Sequence, residues 1–158
     1  MNVSKALKEI FKHDFSCFTE NIYLKDSFGR TLSKPVSINK SIPEFDTSSM
    51  DGFAVKKSSL GKIGKYKVLG ETPAGASSCY MIKPNECVRV YTGSRMPKNA
   101  DFVVIQENTW SQGNFMYVND YDKKSSYVRK TGLDFKKGQI ISNPMLIDYK
   151  LISALASL

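Results

Sequence analysis

Histidine is almost missing: His13 is the only one in 158 residues. A Ser-His-Asp or Cys-His arrangement would hang on that single side chain. It falls near the end of the first helical pattern, where a surface residue facing the helix dipole is the simpler role. Cysteine is scarce as well. Cys17, Cys79 and Cys87 are odd in number and show no C-x-x-C spacing, which argues against both a disulfide framework and a zinc knuckle. Reduced, partly buried thiols are expected. No apolar run approaches the roughly 20 residues a bilayer span needs, and the opening MNVSKALKEIFKHDF lacks the uninterrupted apolar core of a signal peptide. The expectation is a cytoplasmic chain without a membrane partner. A phosphate loop G-x-x-x-x-G-K-[ST] is missing too, because GKIGKYK (61–67) has no Ser or Thr after its lysine and reads as a basic turn before a strand.

What is present describes a folded chain. Hydrophobic residues make up 41%, aromatics 11% and charged residues 24%, values of a globular rather than a disordered sequence. The length suffices for one ordinary domain or two small ones. The formal net charge of +8 suits a nucleic acid, an anionic surface or an anionic small molecule. Most of the excess is lysine spread singly, however, and the pairs Lys56-Lys57, Lys123-Lys124 and Lys136-Lys137 lie far apart, so a solvated surface is the simplest reading.

Val3, Ala6, Leu7, Ile10 and Phe11 recur at helical spacing, and Asn2 is a fitting N-cap. ENIYLKDSFGRTLSKPV then reads as an extended piece over Ile22 to Leu24 and a short helical turn ending near Gly29 or Thr31, stopped by Pro35. From about 51 to 142 the texture changes to short β-type runs: DGFAV, YKVLGE, CVRVYTG, DFVVIQENTW, NFMYVND, YVRK and GQIIS. Glycine and proline punctuate them, as in a β-rich barrel or sandwich-like module that requires no helix. A final helix opens at Asp148 and carries Leu151, Ile152, Leu155, Ala156 and Leu158 on one side. It ends without a C-cap glycine, basic last turn or polar tail, which predicts that the native chain continues. Helices at both ends of a β-rich centre predict that the ends meet and that the middle is inserted between them.

Three loop clusters carry the candidate chemistry. In SSMDGFAV, Asp51 and Gly52 fit either an Asp-Gly turn, with glycine at positive φ, or a carboxylate held beside a substrate. In VRVYTGSRMPKNADFVV, Gly93 would let backbone N–H groups approach a ligand closely. There the Thr92 hydroxyl can donate, and Arg95 or Lys98 can attract an anion, although a long hairpin loop explains the same residues. In YVRKTGLDFKKGQII, Arg129 and Asp134 fit a turn closed by an ion pair.

Taken in order, PEFDTSSMDGFAV, GETPAG, CVRVYTGSRMPKNADFVVIQEN and VRKTGLDFKKGQII resemble the blocks S-x-M-D-G-[YF]-A-V, G-E-x-x-A-G, T-G-x-x-[LVM]-P-x-x-A-D-x-V-V and R-x-x-G-x-D. These belong to the N-terminal half of the MoeA family of molybdopterin molybdenumtransferases, related to the E domain of gephyrin. Lys34-Pro35, Ser94-Arg95 and Met96 depart from the family's usual loop residues and leave each block's core intact.

The resemblance implies a mixed α+β, β-rich fold. A discontinuous α/β domain (1–42 with 127–158) would enclose an inserted β-rich domain (43–126), with a molybdopterin-binding domain and a C-terminal β domain outside this chain. It implies insertion of molybdate into adenylylated molybdopterin, with Mg2+ and release of AMP. The enzyme would be a homodimer whose cleft lies between the second domain of one subunit and the third of the other. Molybdopterin adenylyltransferase and molybdoenzyme apoproteins are the implied partners, with no nucleic acid among them. Asp51 and Thr92 would be the catalytic residues, Asp51 also reaching a metal directly or through water. Ser49, Met50, Gly52, Gly93, Arg129 and Asp134 would bind substrate or shape the cleft. Because the substrates are anions, Asp51 suits a bridging Mg2+ or water, or the role of proton acceptor, rather than direct molybdate ligation, and Thr92 with the Gly93 N–H suits direct oxyanion contact. The piece alone would be catalytically silent. A non-catalytic scaffold like gephyrin is an alternative. A basic nucleic-acid-binding β module is another, set against Tyr66, Tyr91, Phe102 and Phe115 at core-compatible positions.

Overall fold

The computed structural model describes residues 2–12, 18–62, 64–76 and 80–158; His13, Cys17 and Cys79 lie outside the described residues. The chain divides into two compact units, residues 1–36 with 141–158 and residues 37–140.

The first unit is built from the two chain ends. Helix α1 (Val3–Ile10) starts at Asn2, whose side chain accepts from the Lys5 N–H, and none of its residues is buried. A single 3-10 turn occupies Leu24–Asp26, so Leu24 begins that turn instead of closing the expected extended piece. Strand β1 (Thr31–Leu32) pairs antiparallel with a partner near the other end, Met145–Leu146, a strand the sequence pattern did not announce. Helix α2 (Tyr149–Ala156) is capped by Asp148, which accepts from the Leu151 N–H. Its Leu151 is buried, and Tyr149 stacks on Phe28 with ring centroids 4.3 Å apart.

Strand β2 (Val36–Ser37) leads into the second unit, which continues through β3 (Thr47–Ser48), β4 (Gly52–Val55), β5 (Lys65–Thr72), β6 (Glu86–Val90) and β7 (Phe102–Ile105). Then follow β8 (Thr109–Gln112), β9 (Phe115–Val118), β10 (Val128–Arg129) and β11 (Ile140–Ile141), the last leading back toward β12 (Met145–Leu146). Among the described residues this unit holds 3-10 turns but no α-helix. One of those turns, Gln106–Asn108, splits the expected DFVVIQENTW run into β7 and β8.

The main sheet has the order β7-β4-β6-β5-β9-β8, antiparallel throughout except where β5 runs parallel to β6. Strand β4, flanked by β7 and β6, is buried on both faces, which is why GFAV is a continuous apolar run. Phe53 and Val55 join Tyr66, Cys87, Phe102 and Met116 in one core, while Ala54 turns to a smaller one with Val90, Met96 and Val103. Cys87 is fully buried, and burial pushes its thiol up to about 12. The aromatics divide: Tyr66 and Phe102 are buried, but Phe115 is 37% exposed with the Lys65 ammonium 4.7 Å from its ring centre, so it does not belong to the core.

Two features of this sheet place the site. β4 begins at Gly52, where only glycine fits because a Cβ there would lie 2.1 Å from the Val104 carbonyl oxygen of β7. Gly52 is therefore a strand residue fixed by close approach, and the positive φ expected of an Asp-Gly turn is not found there. On β5 the register slips by one residue between Val68 and Glu71, with Gly70 at φ 153° inside the slip. Such a bulge re-aims the side chains that follow it, here Glu71.

Candidate functional site

Asp51 leaves the sheet from the start of β4, and its carbonyl accepts from the Gln106 N–H at 3.1 Å. Carboxylate oxygen Oδ1 accepts two hydrogen bonds from Thr92, from the backbone N–H at 2.8 Å and from the hydroxyl at 3.0 Å. The backbone bond and then the hydroxyl bond hold the carboxyl below its ordinary value, with the Arg89 guanidinium adding to them. Asp51 is thus ionised at neutral pH. Its Oδ2 accepts no hydrogen bond from any described residue.

Thr92 owes its position to a four-residue turn. The Ser94 N–H reaches the Tyr91 carbonyl at 2.9 Å, and Gly93 occupies the third position at φ 84°, as a type II turn requires. Buried Ser94 closes the turn again through its hydroxyl, which donates to the Tyr91 carbonyl and accepts from the Tyr91 N–H. The Gly93 N–H donates to the Ser48 carbonyl at 2.8 Å. This corrects the expected oxyanion contacts: the Gly93 donor is spent on Ser48, and both Thr92 donors are spent on Asp51. Thr92 Oγ1 keeps its lone pairs, so toward a ligand it offers an acceptor.

Three neighbours escaped the sequence reading. The Tyr91 hydroxyl donates to Glu71 Oε2 at 2.8 Å, a bond that pushes the phenol up and keeps it protonated. The Arg89 guanidinium lies 5.5 Å from the Tyr91 ring centre, and Arg89 is the register partner of Glu71. Strand alternation in CVRVYTG would have put Arg89 and Tyr91 on one face. Only the bulge at Gly70, which no local pattern fixes, adds Glu71.

The remaining expected residues are placed as follows. The Ser49 N–H donates to the Tyr127 carbonyl at 2.9 Å, and Met50 is exposed, its carbonyl accepting from the Ser48 hydroxyl. Arg129 on β10 lies opposite Thr47 and binds both oxygens of Asp134 through Nη2, at 2.9 and 2.8 Å. The pair closes its own turn. Among the described residues, no hydrogen bond or ion pair joins it to Asp51 or Thr92. No group of three or more His, Cys, Asp or Glu able to hold a metal occurs among the described residues. No helix among them is long and apolar enough to cross a membrane.

The MoeA N-terminal region (domain I and II) matches the chain over residues 1–158. The chain belongs to that family. A molybdopterin molybdenumtransferase of Nostoc sp. PCC 7120 is 31% identical over 125 residues, covering 76% of this chain and 29% of that protein. Gephyrin of Dictyostelium discoideum is 32% identical over 159 residues, covering 89% of this chain and 22% of its own. A MoeA protein solved from Pyrococcus horikoshii OT3 shares 26% identity with a TM-score of 0.75 over 88% of this chain and 38% of its own. Another solved Pyrococcus MoeA chain reaches a TM-score of 0.80 over 99% of this chain and 42% of its own at 22% identity, a likeness of fold. The β-rich α+β architecture is that of the MoeA N-terminal region. The chain spans less than two fifths of the length of the curated relatives named above.

Proposed function

We propose that this MoeA N-terminal region contributes one wall of a site where molybdate is inserted into adenylylated molybdopterin with release of AMP, in the biosynthesis of the molybdenum cofactor. The observation that carries the reading is the division of labour at Asp51: Oδ1 is held by both donors of Thr92, and Oδ2 is left open. A carboxylate so fixed and ionised suits proton acceptance from a substrate group or attachment of one cation. Were Mg2+ to bind, Asp51 would hold it through its open Oδ2. When bound it supplies positive charge between the carboxylate and an anionic substrate. Arg89, whose charge helps to lower the Asp51 carboxyl, would attract that anion.

The remaining lining would come from a molybdopterin-binding domain of a second subunit, so the 158 residues alone are expected to be inactive. Homodimerisation agrees with α1, whose apolar side, with Val3 and Phe11 76% and 79% exposed, nothing within the described unit covers. Molybdopterin adenylyltransferase and molybdoenzyme apoproteins are the proposed partners, and the cytoplasm the proposed compartment.

The test is Asp51→Ala in a full-length protein that carries this chain as its N-terminal part. Molybdate-dependent AMP release should fall by about 10²-fold or more, the usual worth of a positioned acid–base group, with the circular dichroism spectrum unchanged. Normal AMP release, or a variant that does not fold, would remove Asp51 from the mechanism.

A further inference from the structure

The loop that carries Thr92 runs on into Arg95 and Lys98, which with Glu44, Phe45, Asp46 and Thr131 help to line a cleft of about 430 Å³ in the second unit. Its size is that of a small-molecule pocket. We propose that this cleft is a binding site for a tetrahedral oxyanion, a free phosphate or the phosphate of a monoester, gripped by Arg95 and Lys98. This goes beyond the reading of Asp51 and does not depend on it.

The charges support an anion. Two carboxylates are near, and each is already matched: Lys40 Nζ lies 3.1 Å from Glu44, and Lys130 Nζ lies 2.8 Å from Asp46. Asp46 also accepts the Thr131 N–H at 2.8 Å and the Thr131 hydroxyl at 3.2 Å. Burial opposes its ionisation, but these bonds outweigh it and keep the carboxyl below its ordinary value. Arg95 and Lys98 are different. Among the described residues neither has a carboxylate within ion-pair distance, and neither side chain donates a hydrogen bond. Two cations thus stand in one cleft with no acid assigned to them.

The geometry is also prepared. Arg95 bridges Thr47 through its backbone, and its guanidinium lies 4.8 Å from the Phe45 ring centre. Stacking of that kind holds the planar fork in one orientation while leaving its N–H edge free, the edge that binds two phosphate oxygens at once. Lys98 is pinned through its main chain, its N–H donating to the Tyr80 carbonyl at 2.8 Å and its carbonyl accepting from Ile82 at 3.1 Å. Met96 N–H donates to the Asp46 carbonyl at 2.9 Å, which ties the loop to the opposite wall. An oxyanion would therefore meet a guanidinium already oriented, and the ordering left to do is mainly that of the Lys98 side chain.

The experiment is an amide NMR titration of the 158-residue chain with inorganic phosphate and, separately, with adenosine monophosphate at fixed ionic strength. Saturable shifts should centre on Phe45, Arg95, Lys98 and Thr131, with a dissociation constant near or below about 1 mM. Arg95→Lys should weaken binding by about tenfold through loss of the two-point contact, and Lys98→Ala by several-fold. Phe45→Leu should weaken it while leaving the net charge unchanged. A monophosphate that binds at least tenfold tighter than inorganic phosphate assigns a monoester, and equal affinities assign a free oxyanion. Lys98 is exposed, so its variant tests the site even if an Arg95 variant fails to fold. Shifts spread over many lysines, shifts confined to Thr92 and its neighbours, or wild-type affinity in Lys98→Ala and Phe45→Leu would overturn the proposal.

Discussion

Replacing Gly52 with alanine tests the placement of Asp51 most directly. The added Cβ would stand 2.1 Å from the Val104 carbonyl oxygen and 2.9 Å from the Ile105 Cα, where ordinary contact begins at 3.4 Å. Every one of these atoms is backbone, so no side chain can swing aside, and β7 must retreat from β4 by about 1 Å. Overpacking a tight interior costs about 1–3 kcal/mol, and each ladder hydrogen bond lost with the retreat adds about 1 kcal/mol. The expected loss is about 3–5 kcal/mol, a large part of the roughly 5–15 kcal/mol that holds a domain. Trp110 is the only tryptophan, on β8 of the same sheet and stacked on Tyr117 at 4.0 Å, so its fluorescence reports this unit during urea unfolding. The midpoint should fall steeply with an unchanged slope. Gly64→Ala is the control, because a Cβ there meets nothing within 4 Å and should change stability by less than about 1 kcal/mol. If Gly52→Ala were as stable as Gly64→Ala, the close approach of β4 and β7, and the height at which Asp51 leaves the sheet, would both be wrong.

Other outcomes follow from the same geometry. The Asp51 carboxyl is lowered in the folded chain, so its bonds to Thr92 stabilise the fold above the unfolded value of 3.8 and are lost as pH falls through the lower folded value. The Thr92 amide resonance should titrate below pH 3.8, and a midpoint above it would refute the contact. Cys87, raised to about 12, should resist iodoacetamide at pH 8 in the native chain and react in urea, as read by peptide mapping; equal labelling in both would contradict its burial. The Arg129–Asp134 pair is 47% and 44% exposed, so Arg129→Ala should cost no more than about 1 kcal/mol in urea unfolding. A larger loss would show a structural load the contacts do not explain.

The sequence disclosed elements wherever one local signal decided them. Asn2 and Asp148 are short polar residues ahead of helical apolar spacing, and both cap as expected. GFAV, FVVI and ECVRV are β runs flanked by turn residues, and they form three neighbouring strands of the sheet, β4 between β7 and β6. The failures share a physical origin, since they depend on contacts remote in sequence. Gly52 looks like half of an Asp-Gly turn until Val104 is brought against it. Gly93 has the positive φ that frees its N–H, but Ser48, 45 positions earlier, takes that donor. Residues 37–42 and 127–140, expected with the terminal domain, group with the second unit because β10 pairs with β3 and Ile42 bridges Phe135. Two-residue strands such as Thr31–Leu32 carry too few residues to show an alternation.

The site gains a sharper meaning from these contacts. A lone carboxylate on a turn has several rotamers and meets an anionic substrate with simple repulsion. Asp51 instead follows from three constraints: a glycine pressed between strands sets its backbone, a type II turn brings Thr92 within reach, and two Thr92 donors select one oxygen. Thr92 then acts as the residue that positions Asp51 rather than as an anion donor, and the donors for an anion must come from elsewhere. Arg89 acts on the Asp51 carboxyl, and Arg95 with Lys98 lines the separate cleft. The same Tyr91–Lys98 loop thus fixes an acceptor at its start and carries at its end two cations without an acidic partner among the described residues, so a change in its backbone would alter both places together.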